Sequence, residues 1–118
     1  MRQWSKKRRK RWEEVEQWRE DFKRDHPRCE FCLKPLGYGD LHELTPGSSR
    51  QKALDKPYAI LHVHRQCHDV LEMITIPNQL AYLLRADEER FDLEAYWRLI
   101  GRRWPSLEQV LFFYERLP

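Results

Sequence analysis

The sequence predicts an α+β domain: a small zinc-stapled core of strand, loop, strand and helix, preceded by a basic amphipathic helix and followed by short helices. Three observations carry this. Cys29-x-x-Cys32 and His64-x-x-Cys67 are two ligand pairs of matched spacing, the pattern of one tetrahedral zinc. Apolar residues recur at helical spacing before the first pair. After the second pair come three stretches, each with its own helix-start signal. The expected division is a helix over 1–26, the zinc-bound core over 27–76 and a helical extension over 77–118, forming one compact domain.

Trp4, Trp12, Val15, Trp18 and Phe22 fall within an arc of roughly 120° when wound at 3.6 residues per turn. That stripe is expected to bury its tryptophans against the domain, with the Lys/Arg face outward. No Gly or Pro interrupts residues 1–26, and Pro27 marks the stop. Cys29 to Gly37 reads as a metal knuckle and turn. Asp40 to Leu44 reads as a short strand, and Thr45-Pro46-Gly47-Ser48-Ser49 as a loop. A helical turn precedes Pro57, and Ala59 to Val63 is the second strand. From Arg65 the chain turns helical, with Val70, Leu71 and Ile74 as the expected buried positions. Pro77 opens a helix to about Arg85. Asp92 caps another that stops at Gly101. Ser106-Leu107-Glu108-Gln109 is a capping-box pattern opening the last, with Leu107, Val110, Leu111, Tyr114 and Leu117 on one side. This C-terminal third carries no catalytic signal and reads as scaffold or partner surface.

At 118 residues the natural count is one domain, with a modest core that a metal staple would help. A mean hydropathy of -0.88 and 35% charged residues exclude a membrane span, since no run approaches the roughly 20 apolar residues one needs. No apolar segment follows the charged start, so no signal peptide is expected. Three cysteines without an export signal argue for metal-bound thiolates in a reducing compartment, the cytoplasm by default. The net charge of +3 conceals an asymmetry. Arg2, Lys6, Lys7, Arg8, Arg9, Lys10 and Arg11 crowd the first twelve residues without one acid, leaving 15 basic against 19 acidic residues elsewhere. Such a block attracts phosphate backbones by releasing counterions, without reading sequence. Lys6 to Arg11 are therefore candidate nucleic-acid contacts. Arg50 and Arg65 are candidate phosphate contacts.

Cys29, Cys32 and Cys67 need a fourth zinc ligand. His64 forms an x-x pair with Cys67 that mirrors Cys29/Cys32, whereas His62 falls on a strand and His68 is directed elsewhere. A closed Cys3His site leaves no open position, so it holds the fold and does not catalyse. His42, inside Asp40-Leu41-His42-Glu43, and His68 are left over beside it.

Strand, loop, strand and a helix opening on Cys-His, bracketed by Cys-x-x-Cys, resembles the HNH nucleases of the ββα-metal (His-Me finger) class. The closer likeness is to small phage-type members with His-Glu-Ile, Gly-x-x-Arg and Leu-Cys-x-x-Cys-His. Here these read His42-Glu43-Leu44, Gly47-Ser48-Ser49-Arg50 and Val63-His64-Arg65-Gln66-Cys67-His68. The resemblance covers roughly residues 28–75. A looser one continues through Pro77-Asn78-Gln79-Leu80-Ala81 and Phe91-Asp92.

The resemblance implies phosphodiester hydrolysis in DNA with magnesium or manganese, in a phage-encoded protein of the host cytoplasm. His42 is then the general base or a metal ligand, His68 the ligand on the helix, and Asp40 or Glu43 completes the site. The chain departs from the family in three places. Leu41 stands where a carboxylate or His commonly precedes the base. Ala59 replaces the Asn that orients the catalytic loop, and His64 replaces the usual zinc-binding Cys. Counting back from Pro46 as the strand-end proline puts His42 at the ligand position and Glu43 at the base position. Strand alternation instead sets Asp40 and His42 on one face and Glu43 on the other. Two further functions fit the sequence: a catalytically silent, zinc-stabilised nucleic-acid-binding module of the same fold, and a protein-interaction module working through the C-terminal helices.

Overall fold

The computed structural model describes residues 5–118. The expectations placed on Arg2 and Trp4 lie outside these residues. Among the described residues the chain forms six helices and one two-stranded antiparallel sheet. The order is α1 (Lys6–Asp25), β1 (Asp40–Glu43), α2 (Arg50–Ala53), β2 (Ile60–Val63), α3 (Arg65–Leu71), α4 (Ile76–Ala86), α5 (Leu93–Ile100) and α6 (Leu107–Tyr114). Single 3-10 turns at Gly47–Ser49 and Pro57–Ala59 occupy the ends of the connection between the strands. No helix among the described residues is long and apolar enough to cross a membrane.

The strands pair Asp40 with Val63, Leu41 with His62, His42 with Leu61 and Glu43 with Ile60. Because side chains alternate across a sheet, this register sorts the residues by face. Leu41 and Ile60 pack on Phe22 and Trp18 of α1. Leu61 and Val63 join the main core with Leu44, Leu71, Leu80, Leu83, Tyr96 and Val110. Asp40 and His42 share this second face, and Glu43 shares the α1 face, where it pairs with Arg19 at 3.6 Å.

α1 starts where expected, with the Ser5 hydroxyl accepting from the Arg8 N–H. Its apolar stripe is narrower than its sequence suggests. Val15 and Phe22 are buried and Trp18 half-buried, but Trp12 keeps 41% of its surface. Only its first two turns are a cationic block; acidic residues alternate with basic ones from Glu13 onward. Val70 is also a correction: it is exposed, while Leu71, one position on, is fully buried. With α3 only seven residues long, a single apolar position per turn faces the core, and Leu71 takes it. Leu107 and Tyr114 are exposed on α6, whose inward anchor is Val110. The caps at Asp92 and Ser106 form as their sequence signals, and Gly101 adopts φ 79° at the end of α5.

One buried ion pair ties the pieces together. The Glu30 carboxylate, in the knuckle, accepts the His62 N–H of β2 at 2.9 Å and is gripped by Arg90 from the α4–α5 connection. Arg90 also donates to the carbonyls of Ile60 at 2.6 Å and Pro57 at 3.2 Å, and stacks over the Phe22 ring. Both charged side chains are under 10% exposed. The pair therefore matters less as attraction than as compensation, since either charge left alone in this setting is costly. Gly39, just before β1, is required by close approach: a Cβ there would collide with the Val63 carbonyl oxygen. Arg90→Met, measured by urea unfolding, should lose about 3–5 kcal/mol because Glu30 stays buried without its partner. A loss below about 1 kcal/mol would mean the pair is dispensable.

Candidate metal centre and adjoining cleft

The knuckle is shaped by its own backbone. Cys29 N–H donates to the Lys34 carbonyl and Leu33 N–H to the Cys29 carbonyl, both at 2.9 Å, which folds the Cys29–Cys32 segment tightly enough to aim both sulfurs one way. Leu33 takes a left-handed φ of 68° to close it, where glycine would be cheaper. β2 then delivers His64 as the N-cap of α3, with Cys67 in its first turn. The donor atoms of Cys29, Cys32, His64 and Cys67 all lie within 4.8 Å of one another.

These four fit zinc. Zn–S bonds of about 2.3 Å and Zn–N bonds of about 2.0–2.1 Å give a tetrahedron with edges of roughly 3.5–3.8 Å. His64 Nδ1 stands 3.4 Å from Cys32 Sγ and 4.0 Å from Cys67 Sγ, which brackets that range. The other imidazole nitrogen, Nε2, faces the Pro35 carbonyl at 3.2 Å, so it carries the proton and leaves Nδ1 free as the ligand. Thiol acidity agrees. Burial pushes Cys29 up, but hydrogen bonds from the backbone of Cys32, His64 and Phe31 outweigh it and bring the thiol down to about 7. Burial, aided by the neighbouring Cys29 and Cys32, pushes Cys67 up to about 12. Three crowded sulfurs cannot all ionise unaided, and a divalent cation supplies the missing charge.

Beside this cluster the second face of the sheet meets α3. His42 of β1 and His68 of α3 lie edge to face with ring centroids 4.8 Å apart. Glu72, one turn beyond His68, completes a group of three donors whose atoms also lie within 4.8 Å of one another. His68 is held from both sides: Nδ1 is 3.2 Å from Asp40 Oδ2, and Nε2 is 3.1 Å from Glu72 Oε1. Asp40 thus stands behind His68 rather than among the three converging donors. The hydrogen bonds and charges of His68 and Arg65 outweigh burial and hold the Asp40 carboxyl below its usual range. His42 is 4% exposed, with Nε2 2.8 Å from Gln79 Oε1. Burial holds this imidazole below its ordinary range, against the opposing effect of the Gln79 bond.

A cleft of about 630 Å³ opens here, lined by His42, Glu43, Thr45, Arg50, Glu72 and Gln79 among others. Its wall is polar, and the buried Thr45 hydroxyl has no hydrogen-bond partner among the described residues. Two imidazoles and a carboxylate could hold a divalent transition metal while leaving positions on it open, unlike the four-donor sulfur cluster.

Most of the candidate residues from the sequence are thus gathered, though in different roles. Arg50 reaches the cleft, whereas Arg65 is engaged by Asp40 at 3.2 Å and Asp69 at 3.7 Å. Lys6 to Arg11 are exposed on α1, with Arg11 bonded to Asp55 at 3.0 Å. Two cleft residues were not foreseen. Glu72 follows His68 at i+4, a ligand spacing visible in the sequence. Gln79 comes from the C-terminal third, where the Pro77–Ala81 segment includes it but gives it no role. No protein-family model, no curated protein and no solved structure matches this chain. The donors and their surroundings alone define what the site can do.

Structural zinc binding in small domains is worth on the order of 10 kcal/mol. The purified chain is expected to retain one zinc, and Cys67→Ser to lose it with a marked fall in unfolding temperature. Acid should release the metal as the thiolates protonate. Full thermal stability in a zinc-free, reduced sample would contradict this.

Proposed function

We propose that the chain is a metal-dependent endonuclease of the HNH type, hydrolysing phosphodiester bonds in DNA, with zinc at the four-ligand cluster and magnesium or manganese at the cleft. The observation that carries this reading is the grouping of His42, His68 and Glu72 donor atoms at the edge of a polar cleft that His42 and Glu72 line, with Cys67 of the sulfur-rich cluster on the same helix as His68. A bound divalent ion there would neutralise phosphate charge and stabilise the leaving oxygen.

The chain's own residues divide the remaining work. His42, kept neutral by burial, has a lone pair for a proton from water or for the metal. His68 and Glu72 would hold the ion, and Asp40 fixes the His68 ring by taking its Nδ1–H. Arg50, at the cleft wall, would meet a phosphate oxygen. The exposed run from Lys6 to Arg11 would add backbone affinity without sequence preference. Glu43, paired with Arg19 on the opposite sheet face, fits the rim better than the base role. A phage origin is part of the same reading and rests on the sequence resemblance alone.

The test is nicking of supercoiled plasmid by zinc-loaded protein with magnesium or manganese. His42→Ala should lower the rate about a hundred-fold or more, the scale of a lost general base. EDTA should abolish nicking, and neutralising Lys6 to Arg11 should weaken binding and flatten its salt dependence. Tight, salt-sensitive binding with no cleavage under any of these conditions would make the chain a binding module instead.

A further inference from the structure

Gln79 is a buried polar residue on α4, 5% exposed, in a helix otherwise given to core packing. Its amide makes two hydrogen bonds whose directions are not free. The nitrogen, Nε2, lies 2.9 Å from the Ile74 carbonyl oxygen. A carbonyl can only accept, so this end of the amide must be the donor end. The other end is then the oxygen, and it lies 2.8 Å from His42 Nε2. An amide oxygen can only accept as well. His42 Nε2 must therefore carry a proton, and in the neutral imidazole the lone pair is left on Nδ1.

We infer that Gln79 is a positioning residue that fixes the tautomer of His42, so that proton or metal is taken at Nδ1 and never at Nε2. The chain of constraint runs from the Ile74 carbonyl, through the Gln79 amide, to one nitrogen of a strand histidine. Ile74 and Gln79 both follow α3, so the helix that begins the C-terminal third sets the reactive atom of the cleft. The arrangement parallels His64, whose Nε2 is bonded to the Pro35 carbonyl while Nδ1 faces the sulfurs. Rotating the Gln79 amide to serve His42 differently would set two oxygens against each other at Ile74, so the orientation is locked at both ends.

The catalytic consequence rests on the hydrolytic reading of the cleft; the tautomer does not. Two variants separate them. Gln79→Leu removes both hydrogen bonds. Gln79→Glu removes the bond to Ile74 but keeps an acceptor toward His42, and so controls for the structural loss. Nitrogen-15 spectra of the histidine rings are recorded on full-length, zinc-loaded protein, under mildly alkaline conditions that leave imidazoles neutral. Wild type and Gln79→Glu should show His42 with its proton on Nε2, and Gln79→Leu should show a mixed or reversed pattern. In plasmid nicking, Gln79→Leu should lose about 10- to 100-fold, chiefly in kcat, with much of it regained by Gln79→Glu. A His42 proton on Nδ1 in wild type, or an unchanged tautomer in Gln79→Leu, overturns the inference. The expected tautomer pattern in a wild type that never cleaves upholds Gln79's hold on His42 and overturns the hydrolytic reading.

Discussion

The placement of α3, and with it His68, depends on the meeting of three sulfurs and one imidazole within 4.8 Å. Cys29 and Cys32 come from a knuckle after α1; His64 and Cys67 come from the turn where β2 becomes α3. Joining them fixes the start of α3 against the sheet, and so fixes where His68 stands relative to His42. A two-stranded sheet of four residues per strand has little stability of its own. A zinc ion held by this cluster would supply from outside the sheet the rigidity that its hydrogen bonds cannot.

The C-terminal helices do more than cover the core. Gln79 of α4 holds His42. Tyr96 of α5 donates its hydroxyl to the Leu44 carbonyl at 2.6 Å, deep in the core, and Arg90 between them holds Glu30 and the carbonyls at the start of β2. The loop at Leu44 is also held from the β2 side. Ala59 is fully buried, and its carbonyl accepts the Leu44 N–H at 2.8 Å. With Tyr96 on the carbonyl of the same residue, the loop leaving β1 is fastened on both sides of Leu44.

How much of this was legible follows from how local each signal is. The Cys-x-x-Cys and His-x-x-Cys pairs announce themselves because the geometry of one ion imposes their spacing. The caps at Asp92 and Ser106 and the stop at Gly101 were legible for the same reason: each is a bond or φ value set within four residues. The two strands were found to within a residue at each end, although Leu44 and Ala59 fall just outside them. Burial was harder. Trp12 has the periodicity of core, yet α1 packs on the sheet through Trp18 and Phe22, so periodicity names the stripe but not its length. Val70 and Leu71 are adjacent apolar residues, and only the angle at which α3 leaves the turn at His64 chooses between them. Glu72 was readable at i+4 from His68. Gln79 was not, because its partner lies 37 residues away and the contact exists only once α4 folds back on β1.

The proposed function requires two metal sites of different chemistry side by side, one closed and sulfur-rich, one open and built from His42, His68 and Glu72. Crystals grown with zinc and soaked in manganese, with anomalous scattering recorded at the absorption edge of each metal, would test this directly. Zinc is expected between Cys29, Cys32, His64 Nδ1 and Cys67, and manganese between His42, His68 and Glu72. Manganese absent from the cleft, in a crystal where zinc fills the sulfur cluster, would contradict it.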